Sequence, residues 1–393
     1  MPHSVSASGE RGQQDRNLRS VRIQIDLSAI RANMATARRC SGASRQFATI
    51  KADAYGHGAV AVAHALSSRR SIAMPDASLP PISQGSAEAY ADGFAVVTVD
   101  EALELRQSGI TDPVLVLQGP QTRDACAEMK QHELWPVIHD LQQYAWYRQC
   151  PERQTLKAWL KVDTGMGRLG VQPAEAEAIL SRDEGIEWHG MLSHFACADE
   201  VDNPFTTVQI DNFNQITAGT ALQRSLANSS AVLAWPAAIA DWARPGIMLY
   251  GCNPLDRVLP DGLSLIPAMS VCAPLISVKR LAAGSGIGYA QSYLCPEDMP
   301  IGYVALGYRD GIPRVLDDSA TLTIDGKQCP VIGRVSMDSM AVDLRSVPTA
   351  EPGNLVEIWG KQADIDSLAM AAGTINYELL TSIRGQREYL DRI

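Results

Sequence analysis

With 393 residues, the chain is longer than one ordinary compact core, and one large domain plus a smaller one is the expected division. Hydrophobic residues make up 46% and charged residues 20%, the balance of a soluble globular protein. A net charge of −10 argues against a nucleic-acid surface, which needs clustered Lys and Arg; the short runs Arg38-Arg39 and Arg69-Arg70 read as solvated helix edges.

Residues Met1 to Ser20 are rich in Ser, Gly, Gln and Arg and lack an apolar h-region, which predicts a disordered leader rather than a signal peptide. No apolar run is long enough to span a bilayer, so a cytoplasmic protein without membrane contact is expected. From about Asp26 to Tyr250, short apolar segments alternate with helix-like ones. The apolar segments are Phe47–Ile50, Ala95–Thr98, Val114–Leu117, Pro136–Ile138, Ala158–Val162, Gly190–His194, Leu226–Ser229 and Ile247–Tyr250. Between them lie amphipathic stretches such as Val60–Leu66, Glu101–Gln107 and Asn203–Leu222. Buried parallel strands read as short apolar runs and their crossover helices as longer periodic ones. About eight such units predict an α/β fold, a (β/α)₈ TIM-type barrel over residues 21–260. A doubly wound open sheet would give the same alternation. Ser71 to Ser86, rich in Pro and Ser, reads as an inserted surface loop where a barrel needs only a short connection.

The pattern changes after Pro254. Met269–Val278, Ile301–Ala305, Ala320–Ile324 and Leu355–Ile358 are strand-like, and no long helical pattern returns until Ile365. Asp325-Gly326, between Ile324 and the Cys329–Ile332 run, signals a hairpin. A smaller, mostly β domain over residues 261–393 is therefore expected. The eight cysteines are scattered, without a Cys-x-x-Cys pair or metal-ligand spacing, which predicts reduced thiols and no metal site.

In a barrel, chemistry sits where strands end. Lys51 directly follows Phe47-Ala48-Thr49-Ile50, so it should project from the C-terminal end of the first barrel strand, followed by the loop Ala52 to Gly58. There, partial desolvation and neighbouring positive charge would lower its pKa and suit it to a Schiff base. Taken alone, a lysine is more often an ordinary surface residue.

The surrounding string decides between these readings. Thr49-Ile50-Lys51-Ala52-Asp53-Ala54-Tyr55-Gly56-His57-Gly58 closely resembles the pyridoxal-phosphate lysine signature of the alanine racemase family. Further strings resemble the family in the family's order: Lys161 to Gly170 (KVDTGMGRLG), Ser193-His194-Phe195-Ala196, Ala227-Asn228-Ser229, Arg244-Pro245-Gly246-Ile247, Gly288-Tyr289, Gly307-Tyr308-Arg309-Asp310-Gly311, Gly333 to Asp338 (GRVSMD) and Ile375-Asn376-Tyr377-Glu378. The resemblance runs from Val21 almost to the C-terminus. It implies pyridoxal 5′-phosphate as cofactor, alanine as the small-molecule partner, and a homodimer whose active sites combine one subunit's barrel with the other's β domain.

Residue by residue, the resemblance implies that Lys51 carries the cofactor. Tyr55, Tyr377, Ser229 and the backbone amides of Gly246 and Ile247 would hold its phosphate, with Asn228 in the same cofactor-binding set. Amides at a strand–helix turn bind anions, and glycine lets the backbone come close. Arg244 would face the pyridine nitrogen. An arginine cannot accept that nitrogen's proton, so the ring is a weaker electron sink than with an acidic partner, which suppresses side reactions. His194 would hydrogen-bond Arg244 and orient it. Racemisation needs a base on each face of a planar intermediate; Lys51 serves one face and Tyr289 the other. Arg168 would contact the Tyr289 phenol and the substrate carboxylate. Met337 and Asp338 would line that carboxylate, and Tyr293 and Tyr308 would narrow the entrance. Lys161 matches a position often carbamylated in the family, and Asp163 reads as structural.

Three departures bear on substrate choice: Ser336 stands where many relatives have Cys, Arg309 replaces a small residue, and the end from Thr381 to Tyr389 lacks a customary Pro. Serine or broad-specificity racemisation is the alternative within the family. A related decarboxylase would place an acid where this chain has Arg244. A non-catalytic pyridoxal-phosphate carrier would lack the C-terminal domain and Tyr289, and an inactive homologue would not keep every expected catalytic position. D-Alanine supply for peptidoglycan and alanine catabolism are both compatible with these residues.

Overall fold

The computed structural model describes residues 21–68, 87–150, 157–182 and 186–391. The expected leader over residues 1–20 and the expected insertion Ser71–Ser86 lie outside the described residues.

Eight parallel strands close into a barrel: β2 (Arg45–Thr49), β3 (Gly93–Val96), β4 (Val114–Val116), β5 (Trp135–Ile138), β6 (Ala158–Lys161), β7 (Trp188–Leu192), β8 (Gln223–Ser225) and β9 (Trp242–Ala243). The register Arg45↔Trp242 and Gln46↔Ala243 between β2 and β9 completes the closure. The first six strands follow the apolar runs closely, because strands buried on both faces carry continuous hydrophobic sequence. The last two do not. β8 lies just before Leu226–Ser229, and Ile247–Tyr250, expected as the eighth strand, is a buried 3₁₀ turn. The strand that closes the barrel is Trp242–Ala243, only two residues long.

One end of the barrel is filled with aromatic rings. Phe47 stacks on Trp242 with centroids 3.9 Å apart, and Trp135 and Trp159 meet them edge-on. Gly190 makes room for this packing, since a β-carbon there would fall 2.6 Å from the Trp159 ring. Rings at the start of the strands leave the C-terminal mouth as the open end, where barrel sites lie.

The C-terminal domain is an eight-stranded sheet built around the long strand β10 (Met269–Leu281), which pairs antiparallel with Met299–Val304 and Leu355–Trp359. The strands Thr321–Ile324 and Lys327–Ile332 form the expected hairpin, with Asp325 (φ 49°) and Gly326 (φ 76°) supplying the two left-handed turn residues. A segment expected within the barrel also belongs here. β1 (Arg22–Asp26) pairs antiparallel with β10 and parallel with Gln386–Leu390. Its Arg-Ile-Gln-Ile alternation buries one face and wets the other, unlike the barrel strands. The first and last described strands therefore pair in one sheet. The helix Leu27–Ser41 then carries the chain to the barrel, its start capped by Asp26.

Candidate active site

Lys51 stands two residues beyond Thr49, the last residue of β2, at the barrel mouth, and opens a six-residue turn, Lys51–Gly56. The sequence predicts a plain loop here. Instead Ala52, Asp53, Ala54 and Tyr55 all adopt left-handed backbone angles, with φ between 52° and 53°. Such residues cost roughly 1–2 kcal/mol each, so the turn persists only because the surroundings hold it. Ala54 N–H reaches Ile50 O at 2.9 Å, and Gly58 N–H reaches Asp53 O at 2.9 Å. Asp53 caps the next helix at Ala59 N and pairs with Arg387 at 2.9 Å. His57, stacked on Tyr250, bonds through Nδ1 to the carbonyls of Tyr55 and Ala54; burial holds it neutral, with a pKa pushed down to about 4.

The mouth encloses a cavity of about 410 Å³, a volume typical of small-ligand sites. Of the residues expected at the site, Lys51, Tyr55, Lys161, Arg168, His194, Asn228, Ser229, Arg244, Gly246, Ile247 and Tyr377 all line it. Tyr377 comes from the C-terminal domain, and its ring centre lies 5.8 Å from that of Tyr55. Thr49, Val97, Leu117, Gln118, Leu169 and Leu192 complete the wall. The sequence reading did not single these out, although most sit at or just past the ends of strands, which is the signal that could have found them.

The charge of the cavity is one-sided. Lys51, Lys161, Arg168 and Arg244 line it, and among the described residues no Asp or Glu does. Burial, then the Arg168 guanidinium, lowers the Lys51 amine, with Glu101 opposing. Burial, then Arg244, Arg168 and Lys51, pushes Lys161 down to about 8. Burial lowers Arg244 to about 10. His194 is driven well below the usual imidazole range by burial and then by Arg244, so its ring is neutral.

Arg244 is held from beneath by oxygen acceptors. It donates to Ser225 Oγ at 2.5 Å, to Ser193 O at 2.5 Å and to Leu226 O at 3.3 Å. These bonds, rather than the expected hydrogen bond from the His194 ring, fix the guanidinium. The amides of Gly246 and Met248 converge on Ser229 Oγ at 2.8 and 3.3 Å. Asn228 Oδ1 caps the helix Ser229–Ala234 by accepting Ala231 N–H. Asp163 accepts the amides of Gly165 and Gly167, a turn-building role that fits its structural reading.

The other expected site residues lie elsewhere. Tyr289, Tyr293, Tyr308, Met337 and Asp338 belong to the C-terminal domain and do not line the barrel cavity. Tyr289 is 64% exposed, Met337 52% and Tyr308 38%. Backbone bonds knit part of this group together: Tyr308 N–H to Ser336 O, and Arg309 N–H to Met337 O, with the Arg309 guanidinium 3.3 Å from Asp338.

Residues 25–74 and 77–254 match the family model described as alanine racemase, N-terminal domain, and residues 268–389 match that of alanine racemase, C-terminal domain. The chain belongs to the alanine racemase family. An alanine racemase of Thioalkalivibrio sulfidiphilus is 42% identical over 94% of this chain and 98% of its own length. A catabolic alanine racemase of Pseudomonas putida is 40% identical over 95% of this chain and 99% of its own. Among solved structures, the biosynthetic alanine racemase of Pseudomonas aeruginosa superposes with a TM-score of 0.85 at 39% identity, covering 94% of this chain and 99% of that one. The alanine racemase of Bartonella henselae with covalently bound pyridoxal phosphate gives 0.83 at 26%, covering 94% and 99%.

The residues present fit that cofactor. A cavity lined by four Lys and Arg side chains and, among the described residues, by no carboxylate favours a dianionic phosphate. Gly246 leaves no space for a β-carbon, which would meet Tyr55 Oη at 2.6 Å, so backbone and phenol converge closely where an anion would bind.

Proposed function

We propose that this chain interconverts L- and D-alanine with pyridoxal 5′-phosphate held at the barrel mouth. The observation that carries the reading is a Lys51 amine lowered by burial and Arg168, opening at the end of a barrel strand into a cavity whose charged lining residues are all Lys or Arg. When bound, the cofactor supplies a conjugated ring that withdraws electrons from an amino acid's Cα and so acidifies its proton.

Lys51 would anchor the cofactor and then move the Cα proton on one face of the substrate. Tyr55, Tyr377, Ser229 and the amides of Gly246 and Ile247 would hold the phosphate. Arg244 would lie against the pyridine nitrogen. A cation there cannot take up that nitrogen's proton, which argues against the decarboxylase alternative. Its acceptor-rich mounting keeps it charged and aimed. Arg168 would bind the substrate carboxylate.

The opposite face needs a second proton carrier. Tyr289 is the residue proposed, and in a single chain it is exposed and away from the cavity. An active site shared between two copies of the chain reconciles these facts. Tyr289, Tyr293, Tyr308, Met337 and Asp338 of one copy would then close the cavity of the other, in a homodimer.

Lys161 would serve as a carbamate. Its lowered amine reacts with CO₂ to give an N-carboxylate and a proton, which replaces a repelling cation beside Arg168 with an attracting anion.

Incubation with L-alanine and pyridoxal phosphate, followed by chiral chromatography, tests the proposal. Approach to a near-equal mixture of the two forms is expected. Absence of D-alanine from cofactor-loaded protein would defeat it, and faster turnover of serine would favour the broader-specificity reading.

A further inference from the structure

One carboxylate outside the expected site touches the Lys51 turn. Glu101 sits in the first turn of the helix Val99–Gln107, just after β3. Its Oε2 accepts the amides of Val97 at 2.6 Å and Thr98 at 3.2 Å, and Thr98 Oγ1 in return accepts the Glu101 amide at 3.2 Å. That reciprocal pair is a capping box, and the helix start alone accounts for it. The other oxygen does something the box does not require. Glu101 Oε1 accepts the amide of Ala52 at 2.8 Å, 49 residues earlier in the chain.

Ala52 is the first of the four left-handed residues, none of which is glycine. It is also where the chain leaves the strand direction and where the residue before it, Lys51, takes its aim. One carboxylate thus fastens the start of a strained turn to the end of the neighbouring barrel strand. A carboxylate accepting three amides is a fixed group; its bonds to Val97 and Thr98 are part-buried and the one to Ala52 is exposed, so the Ala52 bond acts on geometry more than on stability.

The surroundings of Lys51 give this contact a second consequence. The Tyr55 ring lies 6.0 Å from its Nζ, Arg168 repels its charge, and Lys161 and His194 both feel it. Glu101 opposes that cationic side.

We propose that Glu101 is a positioning residue for Lys51: by tying the Ala52 amide to the end of β3, it holds the left-handed turn and aims the Lys51 amine into the cavity. The inference rests on the reading of Lys51 as the cofactor lysine.

The test is the rate at which the full-length chain, freed of cofactor, captures pyridoxal 5′-phosphate covalently at Lys51, followed by absorbance and by borohydride trapping with peptide mass spectrometry. Glu101→Gln keeps size and one acceptor oxygen, and so cannot serve both segments. It should capture the cofactor on the order of tenfold more slowly than the parent. Thr98→Ala breaks only the capping box and should leave the capture rate within about twofold while lowering the melting temperature. Adding Ala52→Gly to Glu101→Gln should restore most of the rate, because glycine takes the left-handed conformation without steric cost. Equal rates in parent and Glu101→Gln, an equal loss in Thr98→Ala, or no recovery in the double variant would each overturn the role of Glu101. A parent chain that captures no cofactor at Lys51 would instead overturn the reading on which it rests.

Discussion

The phenol of Tyr55 occupies the space that a side chain on residue 246 would need. A β-carbon on Gly246 would lie 2.6 Å from Tyr55 Oη and 3.2 Å from Cζ. Tyr55 cannot swing away cheaply, because its ring packs against Tyr250 and Tyr377 at 4.9 and 5.8 Å. Gly246→Ala should therefore displace the phenol from the anion-binding turn and leave the barrel folded. We expect pyridoxal phosphate to bind at least about tenfold more weakly, read by absorbance titration, and the overpacking to cost roughly 1–3 kcal/mol of stability, seen as a modest fall in melting temperature. Unchanged cofactor affinity would remove Tyr55 and the Gly246 amide from the phosphate site.

The proposed sharing of sites can be read by mixing two inactive variants. Lys51→Ala should lose covalent cofactor and racemisation together. Tyr289→Phe should keep the cofactor and lose roughly 10²–10⁴-fold in turnover, the range of a general acid–base contribution. Co-folded in equal amounts, the two should regain activity. A mixed dimer holds one site with both substitutions and one with neither. If Lys51 and Tyr289 acted within one chain, no pairing would restore an intact site, and the mixture would stay inactive.

How far the sequence could anticipate these features depended on what each local segment must satisfy. Strands such as Val114–Val116 and Ala158–Lys161 are buried on both faces, so their apolar runs were legible. The closing strand Trp242–Ala243 is too short for any periodicity, and the apolar run beyond it, Ile247–Tyr250, is a buried turn of the same composition. Asp325-Gly326 announced its hairpin because glycine marks a left-handed position; Ala52 to Tyr55 announced nothing, because the left-handed turn is imposed by tertiary contacts on residues that do not favour it. The alternation in Arg22–Asp26 carries the signal of a half-exposed sheet strand, distinct from the barrel's. For the site, the family strings identified eleven of the residues that line the cavity, and missed six more that close its wall. They carried no information about Glu101, whose importance lies in a bond across 49 residues.

Lys161 makes a pH prediction whose sign follows from its burial. Its folded-state pKa falls from 10.5 to about 8, so between those values the unfolded chain holds a proton that the folded chain does not. Stability attributable to this residue is therefore lowest below about pH 8 and recovers as pH rises toward 10.5. In CO₂-free buffer, Lys161→Met should be more stable than the parent at pH 7, by on the order of 1–3 kcal/mol, and the gap should narrow steadily up to pH 9.5. Added bicarbonate should stabilise the parent and leave Lys161→Met unmoved, since the variant has no amine to carboxylate. Urea midpoints across this pH range check both statements. A gap independent of pH and bicarbonate would mean that Lys161 neither pays a burial penalty nor forms a carbamate.

Arg387 links the C-terminal strand to the Lys51 turn, and its two contacts differ in worth. Its Nε donates to Gly56 O at 2.7 Å, and a terminal nitrogen pairs with Asp53 at 2.9 Å. The Asp53 carboxylate is half exposed, so solvent screens the ion pair and little stability follows from it. Gly56 is buried, has a φ of 79°, and sits so close to Leu380 O that a β-carbon would fall 2.1 Å away; its carbonyl depends on Arg387. Removing a charged donor from a buried carbonyl costs about 1–3 kcal/mol. Arg387→Ala should shift the urea midpoint by that amount, whereas Asp53→Asn, which keeps an oxygen for the Ala59 amide, should cost less than about 1 kcal/mol. Arg387→Lys should recover only part of the loss, because an ammonium cannot serve both acceptors with a fixed fork. Equal costs for Arg387→Ala and Asp53→Asn would assign the clamp to the ion pair and leave the Gly56 carbonyl without a role in it.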